Sequence, residues 1–313
     1  MIRDLSHILI IDIIARMDKL KICFILIIAL LIYGCSDTNT STEDISPGNS
    51  NIYIENKGSD TIVNLALAWA EEYQSLHPEI RISVTGGGSG TGIAALINGT
   101  VDIANASRKI KEEEFQNAVD NGIVPVEHII AKDAIAVIVN QSNPIEKLTL
   151  QQISDIYSGK IKNWSEIEGY DHPIVLLSRE TNSGTHVYFL EQVLRLGDKN
   201  NKTLFSRETL LLPSSEGISS EIRLNPNAIG YDGLGYVTPD LKVIAISNNE
   251  DGGYIYPTEE SVLNNTYPIA RDLYMYTNGD PSGAIKDYID WLFTPEAQKI
   301  VSELGFVPMT NQR

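Results

Sequence analysis

Cysteine is almost missing: two in 313 residues, Cys23 and Cys35, and none beyond position 35. A disulfide framework and a cysteine metal site are therefore excluded from the body of the chain. Histidine is also scarce. The five (His7, His77, His128, His172 and His186) show no spacing that would set two imidazoles on one metal, so no metal or cofactor is expected. Basic residues are few, 24 Lys and Arg against 41 Asp and Glu, for a formal charge of −17. That balance argues against nucleic acid, whose binding rests on cations that neutralise phosphates. It does not exclude a small anion in a cleft, because distant surface charge is screened beyond about 8–10 Å.

Long apolar runs are missing too, apart from Ile22–Tyr33, which follows Lys19 and Lys21 and ends at Gly34-Cys35. Twelve residues are short for a membrane span and suit the apolar core of a signal peptide. Residues 1–34 are read as that signal, with Met17 a more natural start than Met1. Ile32-Tyr33-Gly34-Cys35 resembles a bacterial lipobox, so Cys35 is expected to be lipidated. Residues 35–51 then read as an acylated cysteine and a flexible Ser/Thr/Asn-rich tether. Losing residues 1–34 removes four basic and three acidic residues and leaves −18. The expectation is an acidic protein outside the cytoplasm, in the cell envelope, anchored to the membrane by lipid.

The body alternates strands with helices. Strands are predicted over Ile52–Ile54, Ile80–Val84, Val101–Ala106, Ala134–Asn140, Ile174–Ser178, Ala228–Tyr231 and Ile269–Tyr276. Apolar periodicity predicts helices over Ile62–Leu76, Gly92–Asn98, Glu112–Asn121, Thr149–Ser158, His186–Leu196, Ser214–Leu224 and Ala284–Gly305, the last split near Pro295. Such alternation implies an α/β protein with mostly parallel sheets. Ala134–Asn140, nearly all apolar, reads as a buried strand of a parallel sheet.

Three loops share one plan, strand then glycine or hydroxyl loop then helix: Gly58–Thr61, Gly86–Gly92 and Arg179–Thr185. At the carboxyl ends of strands in an open α/β sheet, such loops are where ligands bind. Helix starts offer unpaired N–H groups, and Arg179 adds a planar cationic fork suited to an oxyanion. Nucleotide motifs fail on the same glycines: Ile93 follows Gly92 where a P-loop needs Lys, and Thr91 or Ile93 stands where the dinucleotide pattern needs Gly. Ser89 lacks the final glycine of a nucleophile elbow. Asp60 or Ser59 could cap the first helix, and His186 reads as a solvated helix residue.

Gly58-Ser-Asp-Thr61, Gly86–Gly92, Asp102–Arg108, Arg179-x-x-x-Ser183-Gly184-Thr185 and Ile229–Tyr236, in this order, resemble the phosphate-binding proteins of ABC phosphate importers, the PstS family. The resemblance covers about residues 52–313. It implies an α/β, two-lobed type II periplasmic-binding-protein fold with the ligand cleft between lobes, placed here at 52–133 plus 269–313 and at 134–268. It also implies a monomeric, non-enzymatic receptor that captures inorganic phosphate by lobe closure and delivers it to a membrane ABC permease. By position, the ligand residues are Ser59, Asp60, Thr61, Ser89, Ser107, Arg179, Ser183, Gly184 and Thr185, with Ala228–Tyr236 as packing. Many members carry Asp where Ser107 stands, and Asp60 occupies a place often held by Thr. A carboxylate can accept the proton of hydrogen phosphate, a role open to Asp60 beside that of helix cap. Ser107 leaves sulfate, molybdate or tungstate as alternative ligands. A phosphate-ester hydrolase using Ser89 or Ser183 is a third reading.

Overall fold

In the computed structural model, residues 51–309 are described. The strands are β1 (Ile52–Gly58), β2 (Ile80–Thr85), β3 (Ile103–Ala106), β4 (Pro125–Asn140), β5 (Lys147–Thr149) and β6 (Val175–Arg179). They continue with β7 (Leu210–Leu212), β8 (Ala228–Gly233), β9 (Leu241–Val243), β10 (Ala245–Ser247) and β11 (Ala270–Asn278). The α-helices are α1 (Val63–Leu76), α2 (Ser89–Ile97), α3 (Glu112–Asp120), α4 (Leu150–Tyr157) and α5 (Gly184–Phe189). After them come α6 (Ser215–Leu224), α7 (Glu259–Leu263), α8 (Gly283–Trp291) and α9 (Pro295–Glu303).

The main sheet runs β2-β1-β3-β11-β4-β8-β6-β7, with β9 also on β4, while β5 and β10 pair separately. Its flanks are parallel: β2-β1-β3 on one side, β8-β6-β7 on the other. The centre is antiparallel. The first part of β4 pairs with β11 as far as Ala134↔Ala270, and from Ile135↔Gly233 onward it pairs with β8. Ala134–Asn140, expected to lie in a parallel sheet, is thus antiparallel to β8 and β9. An apolar run reports burial on both faces and not the direction of its neighbours. The strand also begins at Pro125, nine residues before the predicted start, because residues 125–133 alternate weakly.

Local chemistry explains most element ends. Thr149 accepts from Gln152 N to start α4, Ser214 accepts from Gly217 N to start α6, and Thr294 with Pro295 starts α9. The predicted helix over His186–Leu196 becomes α5 followed by a π-helical turn, Leu190–Leu194.

Burial divides along the line where β4 changes partners. Ile54, Leu65, Trp69, Ile103, Met275 and Tyr288 belong to one core, with Ile93, Ala104 and Tyr276 packed nearby on the sheet's other face. Ile135, Val137, Trp164, Phe189, Val193 and Tyr231 form a second, with Ile138, Leu177 and Ile218 opposite. The three glycine and hydroxyl loops leave the ends of β1, β2 and β6.

Candidate functional site

β1 ends against β3. Ser59 N donates to Asn105 O at 2.9 Å, and its buried Oγ has no protein partner. The expected helix cap is not made: neither Ser59 nor Asp60 caps by its side chain, and a 3-10 turn over Asp60–Ile62 precedes α1. Asp60 is used otherwise. Its Oδ1 accepts from Gly87 N at 2.8 Å and its Oδ2 from Arg179 Nη2 at 2.8 Å. Thr61, buried beside it, lies 2.7 Å from Thr185, hydroxyl to hydroxyl.

The glycine loop closes over this turn. Gly88 takes φ +90°, a conformation side chains resist, and its N–H donates to Gly58 O at 2.9 Å. Helix α2 starts at Ser89, three residues before the predicted Gly92. Ser89 is fully buried; its Oγ accepts from Ser107 N at 3.0 Å and lies 3.3 Å from Ser107 Oγ. The second half of the chain meets this loop directly. Gly90 N donates to Asn182 O, and Asn182 Nδ2 donates to Gly87 O. Gly184 sits so tightly here that a Cβ would fall 2.3 Å from Ser89 Oγ and 2.6 Å from Ser107 Oγ.

Arg179, at the end of β6, is buried. Its Nη1 donates to Ser215 Oγ at 2.8 Å, and Nη2 to Asp60 Oδ2 and Pro213 O. Nε is buried without a protein partner. Ser183 caps α5, accepting from His186 N. His186, read as solvated, is buried instead: Nδ1 pairs with Ser178 Oγ at 3.0 Å and the ring stacks on Phe205. The residues before it, Ser183–Thr185, are small and polar, and the signal of burial lay one turn on, in Phe189 and Leu190. Burial pushes its imidazole below the usual pKa, and a bond it makes to the Arg179 backbone opposes this only partly.

All nine predicted residues therefore gather where the β1, β2, β3 and β6 loops meet, and seven of them, all but Asp60 and Gly184, are buried polar groups (Ser59, Thr61, Ser89, Ser107, Arg179, Ser183 and Thr185). Four more support them unforeseen. Ser215 and Asp232 back Arg179, with Ser215 Oγ donating to Asp232 Oδ1 at 2.8 Å. Arg271 reaches Ser107 O at 3.0 Å through Nη1 and holds Asp133 Oδ2 through Nε and Nη2. Ser214-Ser215 at a helix start was a visible signal. Asp232 lay inside a segment read as packing, and its charge was the neglected clue.

In chemical terms this is one cationic fork among neutral hydroxyls and amides, with one carboxylate in direct contact. Such an array can desolvate a tetrahedral oxyanion.

Comparison with known proteins agrees. A family profile described as a PBP superfamily domain matches residues 42–296. The chain is 32% identical over 273 residues to the phosphate-binding protein PstS of Pseudomonas aeruginosa, covering 82% of this chain and 83% of that one. It is 33% identical over 257 residues to PstS of Bacillus subtilis, covering 82% and 80%. A candidate phosphate ABC transporter substrate-binding protein from Clostridium perfringens, solved with bound phosphate, superposes with a TM-score of 0.74 at 31% identity, over 82% of this chain and 100% of that chain. An ABC-type phosphate transport receptor from Vibrio cholerae gives 0.66 at 29%, over the same shares. With its loops in the order that the resemblance requires and relatives matched along most of their length, the chain belongs to the PstS family of phosphate-binding proteins.

Proposed function

We propose that this protein captures inorganic phosphate and hands it to an ABC importer. The observation that carries the reading is a buried guanidinium with one unpartnered N–H, set among hydroxyls from both halves of the chain. Ser59, Thr61, Ser89 and Ser107 would supply one side, and Arg179, Ser183, Gly184 and Thr185 the other. Each charge-assisted bond contributes about 1.5–3 kcal/mol, so several together offset dehydration of the ion.

The halves would act as lobes, 52–133 plus 269–313 against 134–268, hinged where β4 and β11 cross. Two separate cores and the change of partners at Ala134/Ile135 support that division. Asp60 would receive the proton of hydrogen phosphate, the task for which Ser107 has no charge. Replacing it, Asp60→Asn, should reduce discrimination against sulfate; unchanged discrimination would remove Asp60 from that role.

A receptor rather than an enzyme is favoured by the surroundings of the candidate nucleophiles. Ser89 bonds only to Ser107, Ser183 caps its helix, and the imidazole of His186 turns to Ser178. A chromogenic phosphate ester that the protein turns over would reverse this. No helix among the described residues is long and apolar enough to cross a membrane. Export, acylation of Cys35 and the tether belong to residues outside those described, and we read the receptor as a lipid-anchored monomer of the cell envelope.

Calorimetry of the purified chain against phosphate, sulfate and molybdate in parallel tests the whole reading. Phosphate should bind far more tightly than the others. Equal or tighter binding of sulfate or molybdate would reassign the ligand.

A further inference from the structure

The central guanidinium is held from behind by a carboxylate that capture itself does not require. Arg179 Nη1 donates to Ser215 Oγ at 2.8 Å, and Ser215 passes its own hydrogen to Asp232 Oδ1 at 2.8 Å. On the other side Nη2 donates to Asp60. Asp232 is wholly buried on β8; its Oδ1 also accepts from Gly233 N, and its Oδ2 has no partner. One arginine thus stands between two carboxylates. With both ionised the trio carries −1 before any anion arrives.

An incoming oxyanion adds like charge beside the buried Asp232, where repulsion is screened less than in water. Discharging one carboxylate relieves that repulsion, and the neighbours of Asp232 differ in their freedom to do so. Asp133 on β4 is held by two bonds from Arg271 of β11 and one from Leu234 N. Asp60 is held by Arg179 and Gly87 N. Glu216, at the start of α6, is bonded by Asn64 in an exposed contact. His186 lies on the far side, on Ser178. Asp232 alone keeps a buried oxygen without a donor. Burial pushes its carboxyl up to about 6, against the pull of Arg179, Ser215 and Gly233 N, with Asp133 adding a smaller push.

We propose that Asp232 is a positioning residue that holds Arg179 through Ser215 and takes up a proton as the oxyanion binds, so that capture is coupled to protonation. This rests on the phosphate reading above. By linkage, protonation of Asp232 must then tighten the anion by the same factor that the anion favours the proton. Well below the free carboxyl's midpoint the proton is already present and uptake fades; through and above that midpoint uptake grows until the midpoint of the loaded state is passed.

The test is phosphate calorimetry in buffers of different ionisation enthalpy, from pH 5.5 to 7.5, on the full chain and on Asp232→Asn. Phosphate's own second ionisation contributes alike to both, so their difference isolates Asp232. Uptake should be greater in the unmodified chain, approaching one proton toward the upper end of the range, and the difference should be smallest at pH 5.5. The ratio of its Kd to that of Asp232→Asn should rise with pH, by at most about tenfold per unit for one linked proton. Equal proton uptake in both chains overturns the proposal and leaves phosphate capture intact. No phosphate heat in the unmodified chain removes both. Should Asp232→Asn not fold, infrared difference spectra of the unmodified chain decide: a protonated-carboxyl stretch that appears on adding phosphate supports the proposal, and none overturns it.

Discussion

Two arginines lie buried beside aspartates in this fold, and they are not equivalent. Arg271 directs all three nitrogens to acceptors, Nε and Nη2 to Asp133 Oδ2 at 3.1 and 2.8 Å and Nη1 to Ser107 O at 3.0 Å. Asp133 is sealed, with Oδ1 taking Leu234 N. Arg179 is just as buried, yet its Nε has no partner and its aspartate keeps 16% of its side-chain surface open. A closed pair ties strands together. A pair with a spare donor and an open edge can exchange partners, which is what a ligand requires.

The largest expected effect is therefore on stability, at the closed pair. Arg271→Ala leaves Asp133 charged and dry where β4 meets β11, at a cost of about 3–5 kcal/mol. Denaturant unfolding measures it. Arg179→Ala should cost less stability, since water can reach Asp60, and more affinity than any other substitution. Loss of a buried, bonded charge is expected to weaken phosphate by about 2–5 kcal/mol, well beyond tenfold. Arg179→Lys should recover only part of this, because an ammonium cannot reproduce the fork. If Arg271→Ala unfolds at the unmodified chain's denaturant concentration, the contrast between the pairs has no energetic content.

Gly184→Ala comes next. The added methyl meets both Ser89 and Ser107 hydroxyls, so the second half must retreat from the glycine loop. Overpacking of this kind costs about 1–3 kcal/mol. The loss should fall on affinity, where calorimetry sees it, because neither core is touched. Equal loss in stability and none in affinity would make Gly184 a packing residue only.

These contrasts were unequally legible in the sequence. The loops were readable because glycine and hydroxyl residues at a strand–helix junction carry a backbone meaning of their own, and Arg179 stood at the end of an apolar strand. Partner choice was not. Nothing in Gly58–Thr61 says that Asp60 will leave its helix and reach a residue 119 positions away. Residues 125–133 were missed as strand because one face meets α3 and solvent, which blurs the alternation, and antiparallel pairing through β4 was invisible in a run of apolar residues. Asp133 and Arg271 share one register pair on β4 and β11, a relation that only the sheet supplies. Charge inside an apolar strand was the cue that could have found Asp133 and Asp232.

The smallest effect tests the neutral contact across the same seam. Thr61 and Thr185 are buried and joined hydroxyl to hydroxyl at 2.7 Å. Thr61→Val keeps the shape and strands the Thr185 hydroxyl, which should cost about 1 kcal/mol of stability. Thr185→Val should do the same. The double substitution removes both polar partners, so its stability should return toward that of the unmodified chain. Phosphate affinity should not return, because two donors would still be missing from the ion. Unfolding and calorimetry on the same four proteins separate the outcomes. Recovery of affinity together with stability would assign the pair to packing and leave Arg179 with fewer helpers than the site now supplies.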